Sequence, residues 1–233
     1  MEVTIKANRN AITLALRVGI AVPALYFGIQ FAAAPFFPGY SFLARDASTL
    51  GSSDSSLPAI FNLGSLLVGL VTLIASWGFF QSFRVLGVRA AIAWLATLAL
   101  IASGLASVNA CLFPLPDPRH TGSVLALAGV GTFLLPVLLP LALWKLLGRG
   151  PIRAYFVTNI LALVALIPIM SGLIQRFSIM AGIDLPWYQT FLNNYQGLLQ
   201  RIAAVIAFGP IAVSAWYLVQ GLRTAGQCAP GPE

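Results

Sequence analysis

The residues with the most potential for chemistry lie in one short stretch, Cys111-Leu-Phe-Pro-Leu-Pro-Asp-Pro-Arg-His120. It contains the only histidine of the chain and one of its six acidic residues. Asp117 and His120 are three residues apart, close enough to meet in a turn, and an imidazole can act as a general base near neutral pH. The stretch therefore raises the hypothesis of an enzyme in which His120 is the base and Asp117 or Asp46 orients it.

A metal centre is not indicated by the composition. Zinc sites in proteins use three or four His, Cys or carboxylate ligands, in structural sites at short and regular spacing. This chain has one histidine and two cysteines, and no HExxH or clustered His motif occurs in it. The sequence therefore predicts no metal and no cofactor, so any catalysis would be metal-free.

The elements that position these residues are membrane-spanning helices. Of the 233 residues, 59% are hydrophobic and 8% are charged, whereas a soluble domain has about 25% charged residues. Runs of about 20 apolar residues are needed to cross a hydrocarbon core of about 30 Å, and these runs lack the alternation of a lipid-facing barrel strand. The sequence predicts an all-α bundle of six transmembrane helices in a single domain, 1–233. The predicted helices are 11–34, 57–80, 90–110, 124–147, 154–177 and 198–222.

The distribution of basic residues predicts the orientation of the chain. The net charge of +7 does not form the continuous basic stripe of a nucleic-acid-binding surface, so no nucleic-acid partner is expected. Nine basic residues fall at one end of the predicted bundle and four at the other. By the positive-inside rule, both termini are cytoplasmic and the protein lies in the inner or plasma membrane. The nine are Lys6, Arg9, Arg17, Arg84, Arg89, Lys145, Arg149, Arg153 and Arg223; the four are Arg45, Arg119, Arg176 and Arg201.

An aromatic segment precedes the last predicted helix. In 186–195, Trp187, Tyr188, Phe191 and Tyr195 recur at a spacing of three to four residues. This pattern predicts a short interfacial helix between helices 5 and 6, with its aromatic face toward lipid or toward the bundle.

Prolines and small residues inside the spans predict how the helices pack. Four prolines are expected to kink their helices where neighbouring groups satisfy the carbonyls that proline leaves free. Small residues allow close helix approach. The prolines are Pro136, Pro140, Pro168 and Pro210, and the small residues are Gly64, Gly69, Ser103, Gly104, Ser107, Gly129 and Gly131.

The polar residues near the outer ends of the helices form the predicted binding site. Arginines beside asparagine amides can bind a phosphate or carboxylate headgroup through forked, charge-assisted hydrogen bonds. The predicted partners are membrane lipids, and a membrane-protein partner is also possible. The predicted ligand-binding residues are Asn62, Asn109, Arg176, Arg201 and Asp46.

The order of short motifs resembles a known family. The motifs are Tyr40-Ser-Phe-Leu leading to Thr49-Leu-Gly51, then Ile60-Phe-Asn-Leu-Gly64 with Gly69, then Cys111-Leu-Phe-Pro114 with Asp117 and His120. They resemble a prokaryotic six-helix membrane family known as domain of unknown function 998, which is distantly similar to Frag/DRAM-type membrane proteins. The resemblance implies that Asn62, Pro114, Asp117 and His120 are characteristic polar and turn residues of the family, without established roles.

The functional prediction is a membrane protein that binds or handles a lipid headgroup or small amphiphile at an outward-facing polar layer. Two alternatives stay open. The first is an intramembrane enzyme acting on a lipid-linked substrate with His120 as general base. The second is a small-molecule transporter, which would need a polar path through the apolar inner halves of the helices.

Overall fold

The structure is a computed structural model of the chain that describes residues 2–170, 173–183 and 185–227. Side chains are described for residues 9–120, 122–124, 126–170, 173–183 and 185–222, so the predicted placements of Lys6 and Arg223 lie outside them. Within the described ranges every regular element is helical. The helices are α1 (Glu2–Ile20), α2 (Val22–Ala33), α3 (Ala59–Val85), α4 (Ala90–Leu112), α5 (Leu125–Leu143), α6 (Pro151–Met170), α7 (Leu173–Met180) and α8 (Pro186–Gln227).

Five of these helices are individually long and apolar enough to cross a membrane, and α1 with α2 forms a sixth, bent candidate. The bend of 41° lies between Ile20 and Val22. Pro23 explains the bend, because it has no N–H to donate to the carbonyl of Gly19 and its ring crowds that turn. The prediction of an all-α bundle with six apolar spans is confirmed, and the first span contains a break that was not predicted.

The last helix corrects one prediction. The short interfacial helix expected at 186–195 is instead the beginning of α8, which continues without a break to Gln227. At 1.5 Å per residue its 42 residues extend about 63 Å, roughly twice the hydrocarbon thickness. A separate short helix does lie between the fifth and sixth spans, but it is α7. The aromatic residues of this segment do not share one environment: Tyr188 is buried in the bundle, whereas Trp187 is 61% exposed.

The bundle is organised around α3, α5 and α8. Helix α3 packs on α1, α2 and α4, whereas α5 packs on α4, α6 and α8; α8 closes the bundle against α1 and α2. The close helix approach that small residues were predicted to allow is found at two positions. A Cβ added to Gly69 would lie 2.7 Å from the carbonyl oxygen of Gly104, and one added to Gly131 would lie 2.9 Å from Cβ of Ser103. Helix α4 therefore approaches both of its neighbours at positions where a larger side chain has no room.

Pro210 inside α8 shows how a neighbouring helix compensates for a proline. Proline has no N–H, so the carbonyl of Ile206, four residues earlier, loses its helical partner. Asn159 of α6 is buried, and its Nδ2 donates a hydrogen bond of 2.9 Å to that carbonyl oxygen. An unsatisfied carbonyl is costly where no water reaches it, so this contact fastens α6 to α8.

Replacement of Asn159 by leucine is expected to destabilise the bundle by about 1–2 kcal/mol, because it leaves the Ile206 carbonyl without a partner. The measurement is denaturant-induced unfolding of the purified protein in detergent micelles. In a Pro210→Ala background the new N–H at position 210 can donate to Ile206, so Asn159→Leu should cost less there. An equal cost in both backgrounds would show that Asn159 does not compensate for the proline.

Candidate functional site at the long-loop end

The connectors differ in length at the two ends of the bundle. The long-loop end carries the segment 34–58, the segment 113–124 and the segment that contains α7. The short-turn end carries only the turns 86–89 and 144–150. Most of the predicted site residues belong to the long-loop end, and the segment 34–58, here called the outer loop, brings several of them together.

Arg201 of α8 is the centre of the contacts between the outer loop and the bundle. Its Nη1 donates to the carbonyl oxygens of Phe42 at 2.7 Å, Arg45 at 3.1 Å and Gly197 at 2.7 Å. Its Nη2 donates to the hydroxyl of Tyr40 at 2.5 Å, and the guanidinium carbon lies 4.8 Å from the centre of the Phe42 ring. The arginine predicted to bind a ligand therefore binds the outer loop with most of its donors. Its Nε is buried and has no hydrogen-bond partner among the described residues.

Gly197 allows the outer loop to reach the surface of α8. A Cβ at this position would lie 2.8 Å from the carbonyl oxygen of Phe42 and closer still to that of Arg45. One turn of α8 is also bonded directly to the loop, because the N–H of Leu198 donates to the carbonyl of Leu43 at 2.9 Å. The backbone of the loop thus rests on a glycine, with the Arg201 side chain beside it.

Asp46 is part of the same contact region. Its Oδ2 accepts a hydrogen bond of 2.8 Å from Nε2 of Gln196, and the next residue, Ala47, donates its N–H to Oε1 of Gln200 at 2.6 Å. Burial raises the pKa of the Asp46 carboxyl above its usual range, and the Gln196 hydrogen bond and the Arg201 charge oppose that rise. Because the folded pKa lies above the unfolded one, the folded state binds more protons between the two values, and stability falls as pH rises through that interval.

The variant Asp46→Asn is expected to remove this pH dependence while retaining an oxygen acceptor for Gln196. Relative to wild type, the variant should gain thermal stability as pH rises from the ordinary aspartate pKa of about 4 through the raised pKa of the folded state. Thermal unfolding in detergent over a pH series measures the difference. Asp117→Asn is the control of opposite sign, because hydrogen bonds from Arg119 lower the pKa of Asp117. The stability from that pair is present above the unfolded pKa and is lost as pH falls. Parallel pH profiles for wild type and Asp46→Asn would contradict the prediction.

Asn62 and Gln30 contribute unpaired oxygens near the outer loop. Asn62, in the first turns of α3, donates from Nδ2 to the carbonyl of Gly51 at 3.2 Å, but its Oδ1 is buried without a partner. Gln30, in the last turns of α2, is 1% exposed and donates from Nε2 to the carbonyl of Tyr26 at 3.2 Å, and its Oε1 also lacks a partner. With Nε of Arg201, three buried polar atoms on three helices joined by this loop are unsatisfied within the described part of the chain.

The other two predicted ligand-binding residues do not join this network. Asn109 is half-buried near the end of α4, and the side chain makes no hydrogen bond to any described residue. Arg176 of α7 is exposed and likewise has no hydrogen bond or ion pair within the described ranges. The two were grouped with Asn62, Asp46 and Arg201 by predicted depth alone, and the structure shows no contact that connects them.

The side chains of His120 and Asp117 are hydrogen-bonded to other groups and not to each other. His120 is buried, and its Nδ1 lies 2.8 Å from the carbonyl oxygen of Phe113. A carbonyl only accepts, so Nδ1 carries the proton in this contact. The carboxylate of Asp117 instead forms a forked ion pair with Arg119, with Nη2 of Arg119 at 2.7 Å from Oδ2. The backbone N–H of His120 donates to the carbonyl of Asp117 at 2.9 Å, which closes the turn. The stretch from Phe113 to His120 is thus a connector whose polar side chains form hydrogen bonds with other residues of the same connector.

Four residues in or beside the outer loop were not predicted to belong to the site, although Tyr40 begins one of the motifs that carry the family resemblance. Gln30 had a recognisable signal, because it is a polar residue inside a predicted span. The other three had none, since their roles depend on where the outer loop packs against α8; they are Tyr40, Gln196 and Gln200. Among the described residues, no group of three or more His, Cys, Asp or Glu side chains is placed to bind a metal ion.

The fold and the composition of its helices define the class: this is a multi-pass α-helical integral membrane protein. The chain belongs to the family described as Protein of unknown function (DUF998), whose model matches residues 20–217. The family resemblance predicted from motifs within 40–120 is therefore confirmed and extends into α8. Searches of curated proteins and of solved structures found no match to the chain.

Proposed function

We propose that this membrane protein binds the polar headgroup of a lipid or small amphiphile beneath the outer loop, as an accessory or lipid-handling factor. One observation carries the proposal. Three of the four buried side-chain atoms that lack a hydrogen-bond partner in the described ranges belong to Gln30, Asn62 and Arg201, on the two helices that the outer loop links, α2 and α3, and on α8, to which it is hydrogen-bonded. Each unpaired buried polar atom costs about 1–3 kcal/mol, so a polar occupant at this end would stabilise the fold.

The chemistry of the three atoms indicates what kind of group they accept. Nε of Arg201 is a charged donor suited to a phosphate or carboxylate oxygen. The amide oxygens of Gln30 and Asn62 are acceptors suited to a hydroxyl or ammonium group. A headgroup that carries both an anionic oxygen and a hydrogen-bond donor has the groups that complement this set. Asp46 and the exposed Arg176 can contribute at its edge, since both lie in segments of the long-loop end.

The test is mass spectrometry of lipids and other amphiphiles that co-purify with the protein. Gln30→Met removes an unpaired oxygen while keeping the length of the side chain, and we expect it to lose the bound amphiphile. Ser214→Ala is the matched control, because Ser214 Oγ is the fourth unpaired buried atom and lies 13 residues from Arg201, about 20 Å along α8. If Gln30→Met keeps the wild-type set of amphiphiles and gains as much stability as Ser214→Ala, no ligand satisfies Gln30 and the proposal is wrong.

The proposal also includes an orientation, with the long-loop end outside an inner or plasma membrane and both termini in the cytoplasm. Five of the basic residues that predict it lie at the short-turn end; they are Arg84, Arg89, Lys145, Arg149 and Arg153. The half-buried Cys111, at the long-loop end of α4, provides the test. In a Cys228→Ser variant, a membrane-impermeant maleimide should label Cys111 in intact cells. Labelling only after the membrane is opened would show that the long-loop end faces the cytoplasm, which contradicts the proposed orientation.

A further inference from the structure

The turn between α5 and α6 concentrates positive charge at the short-turn end. Lys145, Arg149 and Arg153 lie within nine residues, and no acidic residue occurs between Asp117 and Asp184 in the sequence. The one ion pair among the described residues, between Asp117 and Arg119, lies at the opposite end. These three cations are therefore not neutralised by any carboxylate in the described part of the protein.

The same turn has a shallow, open depression, here called the groove, with arginines at one end and apolar residues at the other. A cavity of about 390 Å³ is lined by Arg149, Gly150 and Arg153, and then by Ala154, Val157 and Thr158 of α6. The guanidinium carbon of Arg153 lies 3.8 Å from the ring centre of Trp144. Stacking on the indole face fixes the plane of the guanidinium and leaves its N–H edge available for an anion.

Below the groove, α6 presents an apolar stripe on the same helical face. Val157, Leu161 and Val164 follow Arg153 at intervals of three or four residues, and they are 43%, 62% and 59% exposed. Helix α6 is also the least buried of the five helices that are individually long enough to span a membrane, with 22% of its most apolar stretch buried. A cation at the end of an exposed aliphatic stripe is complementary to a phospholipid, whose phosphate would lie at the arginines and whose acyl chain would lie along the helix.

We infer that the α5–α6 turn is a binding site for an anionic phospholipid, with the phosphate held by Arg149 and Arg153 and an acyl chain lying along Val157 and Leu161. Lys145 adds attraction without direct contact with the groove. Each basic residue at a membrane surface increases the affinity for anionic lipid by about five- to sixfold, so two that act together increase it by about 30-fold. This site lies at the opposite end of the bundle from the outer loop, and neither site depends on the other.

The experiment is native mass spectrometry of the purified protein titrated with phosphatidylglycerol or phosphatidylcholine. The wild type should prefer phosphatidylglycerol, and Arg149→Gln with Arg153→Gln should lose that preference by about 30-fold. Arg84→Gln with Arg89→Gln is the matched control, because it removes two charges at the same end, where Arg84 lines a separate groove with Phe80 and Trp94. The control should keep the preference. The single variant Arg149→Gln, at an exposed position, should lose about fivefold, so the inference does not depend on the double variant remaining folded.

Each alternative result overturns the inference. Equal losses in both double variants would mean that total charge, and not this groove, attracts the lipid. Displacement of phosphatidylglycerol by an equal concentration of inorganic phosphate would identify a phosphate site without a chain contact. A lipid-free dimer that dissociates in the Arg149→Gln, Arg153→Gln variant would show that a second copy covers this face.

Discussion

Replacement of Arg201 by alanine is expected to destabilise the protein by about 3 kcal/mol and to release the outer loop from α8. The variant removes the donors to three backbone carbonyls and to the Tyr40 hydroxyl. The hydrogen bonds to Phe42 and Gly197 are partly buried, so these two carbonyls lose a donor without gaining full access to water. Denaturant-induced unfolding measures the loss of stability, and limited proteolysis within 40–47 measures release of the loop.

Two variants separate this role from a general effect of charge. Arg176→Ala removes an exposed arginine from α7, at the same end of the bundle, and should remain within about 0.5 kcal/mol of wild type. Arg201→Lys keeps the charge but not the planar fork, so its stability should fall between those of wild type and alanine. If Arg176→Ala and Arg201→Ala cost the same, the carbonyl contacts of Arg201 contribute nothing specific.

Replacement of Gly197 by alanine is the second large effect we expect, with a loss of about 2 kcal/mol. The added Cβ would collide with the carbonyl oxygens of Phe42 and Arg45, which are backbone atoms and cannot move aside without displacing the outer loop. The collision outweighs the usual benefit of alanine over glycine in a helix. Thermal unfolding in detergent and proteolysis of the loop measure the effect.

Gly221→Ala is the matched control in the same helix. A Cβ at Gly221 would meet no heavy atom of a described residue within 4 Å outside its own helical turn, so alanine there should stabilise α8 by about 0.5–1 kcal/mol. The two substitutions should therefore change the free energy of unfolding in opposite directions. A gain in stability for Gly197→Ala would show that the outer loop does not rest on this face of α8.

These expected results change how the predicted polar layer is understood. Arg201 and Asp46 are primarily contacts between the outer loop and α8, and the atoms left for a ligand are the few that those contacts do not use. The effects of Arg201→Ala and Gly197→Ala should not add, because both act on the same loop contact. In the double variant the total loss should be close to the larger single loss.

Much of the fold was predictable from the composition of the chain. A bilayer provides no hydrogen-bond partners for the backbone, so apolar runs of 20 residues must be helical, and their number and approximate positions can be counted. The helix ends were less predictable because they depend on local backbone geometry. Helix α3 continues to Val85 and ends where Gly87 adopts a φ of 66°, and α6 begins at Pro151, a residue suited to the first turn of a helix.

The candidate site was only partly predictable. Asn62, Asp46 and Arg201 could be selected because polar residues near helix ends cost free energy unless they have partners. Their actual partners could not be predicted. The carbonyls of Phe42, Arg45 and Gly51 belong to a loop, and a loop has no periodic sequence pattern that indicates its path. The partners of His120 and Asp117 were equally unpredictable. Their spacing allowed contact between the two side chains, but His120 is hydrogen-bonded to Phe113 and Asp117 to Arg119.

The sequence alone determined a helical membrane protein of the family described as DUF998, because hydrophobic length and short motifs are local properties of the chain. The tertiary structure decided which polar atoms bond to one another and which remain unpaired. It joined Asn159 to the carbonyl freed by Pro210, and Arg201 to the outer loop across about 160 residues of sequence. Hydrogen bonds are directional and short-ranged, so they depend on distances between segments that no local pattern encodes.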